Sequence, residues 1–285
     1  MKHGWPHCMA LQGSYSRRAT KHTEPPMALF DLSNRVVVIT GGNGGIGLGM
    51  AKGLAEAGAH LSLWGRNADK NAEAAKTLAG HKGRVETQVC DVADAQSVEN
   101  AFAATLQAFG RVDGAIANAG ISSGRGAPFS ERTDEEWRRL FATNVDGVFH
   151  LFRAAARHMT ERAKNGDPYG RLVATSSLAS LSGPARNEHY AATKAALNAM
   201  CRALAVELAR YGVTANAVLP GWTRSDMTDR AFNDPKFSAN VMPRIPMRRW
   251  GEPEDFAGIA VYLMSPASSY HTADTFLIDG GYAVF

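Results

Sequence analysis

The chain has 285 residues, 45% of them hydrophobic and 20% charged, with 28 glycines and three cysteines. That balance excludes a disordered, collagen-like or disulfide-stapled protein. Of the formal net charge of +4, the first 26 residues carry +3, from Lys2, Arg17, Arg18 and Lys21 against Glu24; the near-neutral body argues against nucleic acid or an anionic membrane as partner.

Residues 1–26 contain Gly4, Pro6, Pro25 and Pro26 and show neither helical nor strand periodicity, so they are read as a disordered extension. A mitochondrial presequence fits this acid-poor stretch less well than an upstream start or appended residues, and Met27 is the expected native start. A single domain over 27–285 is expected. Short β-branched runs then alternate with amphipathic stretches. The predicted strands are Val36–Thr40, His60–Trp64, Arg84–Cys90, Gly114–Asn118, Arg171–Ser176, Thr214–Leu219 and Thr275–Ile278. Helical periodicity covers about Gly45–Ala57, a polar stretch from Ala68, and then Val98–Phe109, Trp137–Thr160 and Tyr190–Tyr211. Strand and helix in alternation demand parallel pairing with right-handed crossovers. The expected fold class is therefore α/β, a doubly wound, Rossmann-type sheet of seven parallel strands with helices on both faces.

Cys8, Cys90 and Cys201 form no Cys-x-x-Cys pair and have no histidine at metal spacing, so no metal site is expected and a reducing compartment is. No apolar run approaches the roughly 20 residues that span a bilayer, and no secretory signal is visible. The expectation is a cytoplasmic protein.

Thr40-Gly41-Gly42-Asn43-Gly44-Gly45-Ile46-Gly47 lies between the first strand and the first helix, where a dinucleotide's pyrophosphate meets backbone N–H groups at a helix N-terminus. Its glycines read either as Gly42, Gly44, Gly47 (G-x-G-x-x-G) or as Gly41, Gly45, Gly47 (T-G-x-x-x-G-x-G); a nucleotide-free tight turn is the bland alternative. No Gly-Lys-Ser/Thr follows, so a P-loop is excluded. The second strand ends Leu63-Trp64-Gly65-Arg66, without the acid that accepts from a free 2′-hydroxyl and with an arginine fork suited to a 2′-phosphate. Tyr190 and Lys194 are four apart on one helix face, so the ammonium can approach the phenol and, with a cationic nicotinamide nearby, lower its pKa. Ser177 and its neighbour Ser176 stand at the carboxyl end of the fifth strand, the end at which open α/β sheets bind ligands.

These residues resemble the short-chain dehydrogenase/reductase family, and the resemblance runs from about Leu29 to Gly281. It implies the Gly41, Gly45, Gly47 register. Asp91 and Val92 are similar to the segment that contacts adenine, and Asn118-Ala119-Gly120 to the motif that supports sheet and cofactor. Asn144 matches the helix asparagine implied to order a relay water. Ser177, Tyr190 and Lys194 match the family's Ser and Y-x-x-x-K, the spacing choosing Ser177 over Ser176. Asn216 to Gly221, with Pro220 and Gly221 at its end, resembles the stretch that passes over the nicotinamide, with Thr223 and Ser225 following. Ser225 stands where many relatives have Thr, and Ala273 where Gly is frequent.

The resemblance implies a metal-free oxidoreductase that moves hydride between a nicotinamide and a ketone carbon, with Ser177, Tyr190, Lys194 and Asn144 as proton relay. It implies NADP(H) as the favoured cofactor, NAD(H) remaining possible, and a homotetramer. Relatives closest in flavour are 3-oxoacyl-carrier reductases and sugar or sugar-acid dehydrogenases. A catalytically silent nucleotide sensor of the same fold is the alternative. Residues 222–250 mix bulky apolar side chains with Arg224, Arg230, Arg244 and Arg248 and are expected to form a substrate lid whose arginines attract an anionic group.

Overall fold

The run Val36–Thr40 is apolar except at its last residue and buried throughout, as a strand covered on both faces must be, and it forms β1. Six more strands pair in parallel around it: β2 (His60–Gly65), β3 (Val85–Val89), β4 (Gly114–Ala117), β5 (Gly170–Thr175), β6 (Val213–Pro220) and β7 (Thr275–Ile278). The order is β3-β2-β1-β4-β5-β6-β7, the expected seven-stranded doubly wound sheet. Succession along the sheet reverses between β1 and β4, and the crevice at their carboxyl ends is where such sheets hold ligands. The computed structural model describes residues 29–124 and 126–285; the tail reading for 1–26 lies outside the described residues.

Among the described residues the helices are α1 (Gly45–Glu56), α2 (Ala68–Thr77), α3 (Ala95–Phe109), α4 (Asp134–Phe141), α5 (Gly147–Lys164), α6 (Glu188–Leu208), α7 (Asp229–Phe232), α8 (Pro235–Val241) and α9 (Ala257–Met264). One apolar core places Val98, Leu151, Phe152, Leu197 and Cys201 from α3, α5 and α6 against one face of the sheet. A second places Met50, Leu54, Ala260 and Leu263 from α1 and α9 against the other.

The continuous helix expected over Trp137–Thr160 is interrupted. A π-helical turn, Ala142–Asp146, separates α4 from α5 and inserts one extra residue into the hydrogen-bond ladder. Buried Leu140, Asn144 and Val148 follow one another at intervals of four, wider than the 3.6 of an α-helix, so the turn keeps all three on the inner face.

Ala273, where the resemblance leads one to expect Gly, has φ +69° and donates its N–H to Ala215 O at 2.9 Å just before β7. A Cβ in the left-handed region costs about 1–2 kcal/mol, and glycine's extra unfolded-state entropy takes back about half of that. Ala273→Gly is expected to stabilise the protein by up to about 1 kcal/mol, read as a higher urea midpoint at unchanged m-value. An unchanged or lower midpoint would show that Ala273 carries no strain.

Candidate active site

The glycine-rich turn is shaped by close approach. Gly41 has φ +62° and Gly45 φ +48°. A Cβ on Gly47 would lie 2.2 Å from Gly41 O, so only glycine lets the first turn of α1 fold back on the loop. Asn118 ties the loop to β4: its Nδ2 donates to Thr40 O (3.2 Å) and Gly41 O (3.1 Å), while the N–H groups of Asn118 and Ala119 donate to Thr40 Oγ1. Gly44 caps α1 without any side chain and the first turn holds no acid, whereas α2, α3 and α4 are capped by Asn67, Asp94 and Thr133. The bare N-terminus of α1 thus keeps backbone N–H groups and a positive dipole end for an anion.

At the end of β2, Arg66 is exposed, and Gly65 sits close against two asparagine side chains. A Cβ there would sit 2.2 Å from Asn43 Nδ2 and 2.6 Å from Asn71 Oδ1. Those two amides bond each other at 2.7 Å, and Asn71 Nδ2 donates to Gly65 O and Gln88 O at 3.0 Å each. Asn43 therefore braces the loop against α2. Further along the rim, Asp91 is exposed and accepts from Ala93 N (3.1 Å), with Val92 buried beside it. Ile46 packs into the core under the loop.

The second half of the site is built by β5 and α6. Ser176 and Ser177 leave the strand pointing differently: Ser176 Oγ donates to Lys194 O at 2.8 Å inside the protein, while Ser177 Oγ accepts from Ala179 N (3.1 Å) and lies beside the Tyr190 phenol. The structure thus brings Ser177, not Ser176, to the phenol. Burial raises the Tyr190 pKa and the Ser177 hydrogen bond opposes it. The expected lowering by Lys194 is absent among these causes, because its Nζ lies 5.7 Å from the ring centroid and donates instead to Thr175 O at 2.8 Å. Burial pulls Lys194 down to about 8.

Asn144, carried inward by the π turn, is fully buried and clamped. Its Oδ1 accepts from Ile121 N (2.8 Å), and its Nδ2 donates to Ile121 O (2.9 Å) and Thr193 Oγ1 (3.1 Å). Thr193 Oγ1 in turn donates to Tyr190 O at 2.7 Å. A Cβ on Gly120 would stand 3.3 Å from both Asn144 Oδ1 and Lys194 Nζ, so Gly120 keeps the space between the two open. Thr193, Ile121 and Thr175 escaped the sequence reading. Ile121 and Thr175 act through backbone atoms, which leave no side-chain signature; Thr193, directly before Lys194, could have been noticed as a hydroxyl one helix turn from the tyrosine carbonyl.

Beyond β6, a Cβ on Gly221 would meet Asp279 Cβ at 2.5 Å, which fixes the close pairing after Pro220. Thr223 is buried, and Ser225 comes against Gly45, 3.2 Å from where its Cβ would be. The segment that follows is packed on itself: Trp222, Phe232, Phe237 and Trp250 make edge-on ring contacts 5.1–5.6 Å apart around Val241 and Ile245. Three of its arginines already have partners. Arg224 pairs with Glu252 (3.2 Å) and lies over Phe232, Arg244 lies over Tyr282, and Arg248 donates to Pro243 O.

A family model described as Enoyl-(Acyl carrier protein) reductase matches residues 41–283. Over 256 residues the chain is 36% identical to a gluconate 5-dehydrogenase of Gluconobacter oxydans (strain 621H), spanning 90% of this chain and 97% of that one. A crystal structure of a short-chain type dehydrogenase/reductase from Mycobacterium marinum superposes with a TM-score of 0.84 at 35% identity, covering 90% of this chain and 98% of that one. The chain belongs to the short-chain dehydrogenase/reductase family. A gluconate 5-dehydrogenase from Burkholderia cenocepacia J2315, solved in complex with NADP and tartrate, has a TM-score of 0.83 at 33% identity, with 90% and 98% coverage. With its family this chain is an oxidoreductase of CH–OH and C=O groups that works with a nicotinamide dinucleotide. The bare N-terminus of α1 and the Lys194 ammonium, with a single protein acceptor for its three protons, both fit such a group. Among the described residues no helix is long and apolar enough to cross a membrane, and no cluster of His, Cys, Asp and Glu is arranged to hold a metal.

Proposed function

We propose that this chain interconverts a secondary alcohol and a ketone on a polyhydroxy acid or similar small carbonyl compound, with NADP(H) preferred. The observation that carries this reading is the placement of Lys194 and clamped Asn144 on either side of the space at Gly120, with Tyr190 one turn before Lys194 on α6 and Ser177 beside Tyr190. The nicotinamide, when bound, supplies or takes up the hydride. Tyr190 gives its phenolic proton to the carbonyl oxygen in reduction and takes it back in oxidation. Ser177 hydrogen-bonds that oxygen as charge develops on it. Lys194 holds the ribose hydroxyls and, when protonated, favours the phenolate. Asn144 retains a second lone pair on Oδ1, facing the Gly120 space that Lys194 also borders, and there it holds a relay water. Gly41, Gly45 and Gly47 at the N-terminus of α1 would hold the pyrophosphate, Asp91 and Val92 the adenine, and Pro220, Gly221, Thr223 and Ser225 the nicotinamide end.

The choice of polyhydroxy acids is supported by the likeness to two gluconate 5-dehydrogenases, one of them solved with tartrate. The 222–250 segment is proposed as a largely apolar lid, since most of its arginines serve the segment itself. Turnover of gluconate-type acids, cyclic ketones and β-keto esters with NADPH and NADH tests the reading directly; no turnover of any member with either cofactor would refute it. Cofactor choice rests on Arg66. Arg66→Ala is expected to lower kcat/KM with NADPH by about tenfold or more and leave NADH use nearly unchanged, and equal losses with both would remove Arg66 from the phosphate site.

A homotetramer is part of the proposal. Along α6, Ala195, Ala199, Ala203 and Val206 are exposed, and Phe149 on α5 is 46% exposed, a small-residue and apolar surface suited to close helix approach. Light scattering at micromolar concentration is expected to give four chain masses; a single mass would rule this out.

A further inference from the structure

At the amino-terminal edge of the sheet, opposite the crevice, a cavity of about 350 Å3 is lined by Arg35, Pro168, Tyr169, Arg171 and Ser269, among others. Both guanidinium groups lie on the Tyr169 ring, Arg35 Cζ at 3.7 Å and Arg171 Cζ at 4.2 Å from its centroid. The ring is fixed because its hydroxyl donates to Met264 O. Arg171 is 3% exposed, yet among the described residues it donates only to the neutral carbonyls of Gly170 (2.9 Å) and Gly212 (3.3 Å), and its Nε has no partner there. The nearby carboxylates are committed elsewhere. Asp113 pairs with Arg111 (2.6 Å), Arg162 (3.0 Å) and Arg35 (3.5 Å), and Asp167 pairs with Arg111 and Arg162. Four arginines therefore face two aspartates, and the arginine left without a carboxylate is the most buried one.

A buried guanidinium without a carboxylate partner is unfavourable, and a cavity bordered by Arg171 and by Arg35, which shares Asp113 with two other arginines, is a place where a ligand supplies the missing charge. Burial lowers the Arg171 pKa, which is the same imbalance seen from the proton's side. We propose that this cavity binds a small anion, the phosphate or carboxylate group of a metabolite, at a site separate from the catalytic crevice. From Arg171 to Ser177 the chain runs along β5 and just past it, about 20 Å at the rise of a strand, so the anion does not compete with the cofactor.

Titration calorimetry with inorganic phosphate, and in a second arm acetate, tests the site in the full chain saturated with NADPH, which fills the pyrophosphate cradle, against chloride at matched ionic strength. One phosphate per chain is expected, bound about tenfold more weakly by Arg35→Gln and by Arg171→Met, and with partial retention in Arg171→Lys, which keeps the charge and loses the fork. Binding of both probes assigns any small anion; binding of phosphate alone assigns a phosphoryl group. Circular dichroism melts establish that the variants fold, and if Arg171→Met does not, the more accessible Arg35→Gln decides. Binding of acetate alone assigns a carboxylate; binding of neither probe by the NADPH-saturated wild type, or equal affinity in Arg35→Gln, overturns the proposal.

Discussion

Tyr190→Phe lowers kcat by about 10³-fold, the scale of a lost general acid, while cofactor affinity stays within about a factor of two. The reasoning is that the phenol ring is retained, so its packing against α6 and the Ser177 loop survives and only the exchangeable proton is lost. Ser177 keeps its contact with Ala179 N, so the loop after β5 has a hold independent of the tyrosine hydroxyl. Steady-state rates measured beside a fluorescence titration of NADPH separate the two effects. A variant that retains a tenth or more of wild-type kcat would show that Tyr190 is structural.

Lys194→Met is expected to lower kcat/KM by about 10²-fold or more and to abolish a pH dependence of stability. In the cofactor-free fold the ammonium is held down to about 8 against an ordinary 10.5. Below pH 8 the lysine is charged in both states, and keeping it charged in the interior costs the fold about 3 kcal/mol. Between 8 and 10.5 the unfolded chain binds more protons than the folded one, so this group's contribution rises with pH and the penalty fades. Cys201, pushed up to about 12, acts in the opposite direction above pH 9. The informative quantity is therefore the difference between wild type and Lys194→Met in urea unfolding at pH 7.5 and 9.5: the variant's advantage should shrink as pH rises. A constant difference would mean that Lys194 titrates at its ordinary value.

The architecture was legible because each strand announces itself by composition and each crossover by period. Val36–Thr40, buried on both faces, reads as a continuous β-branched run, and the alternation that follows admits only parallel pairing. The π turn was not legible, since neither Pro nor a Gly pair marks it; only the four-residue spacing of Leu140, Asn144 and Val148 hints at it, and that spacing is also tolerated in an α-helix. The residues proposed for the candidate site could be picked out because side chains of distinctive chemistry stand at fixed separations. What holds them was hidden: the carbonyls of Thr175 and Ile121 do the holding for Lys194 and Asn144, and a carbonyl is the same in every residue. The partners of the lid arginines were hidden for a related reason. Sequence shows a charge but not whether Glu252 or a tyrosine ring is waiting to meet it.

The packed amides of Asn43 and Asn71 against Gly65 bear on any attempt to re-engineer coenzyme choice. Exchanging the Gly65-Arg66 pair for an acid and a neutral residue asks a carboxylate to occupy space that two asparagines already fill, with a first clash at 2.2 Å. The Asn43–Asn71 bond that braces the glycine-rich turn against α2 has to rearrange to admit it. Coenzyme choice at residues 65 and 66 is therefore coupled to Asn43 and Asn71, whose amides must turn aside for any side chain at 65, and libraries that vary all four positions sample swaps in which the turn keeps its support.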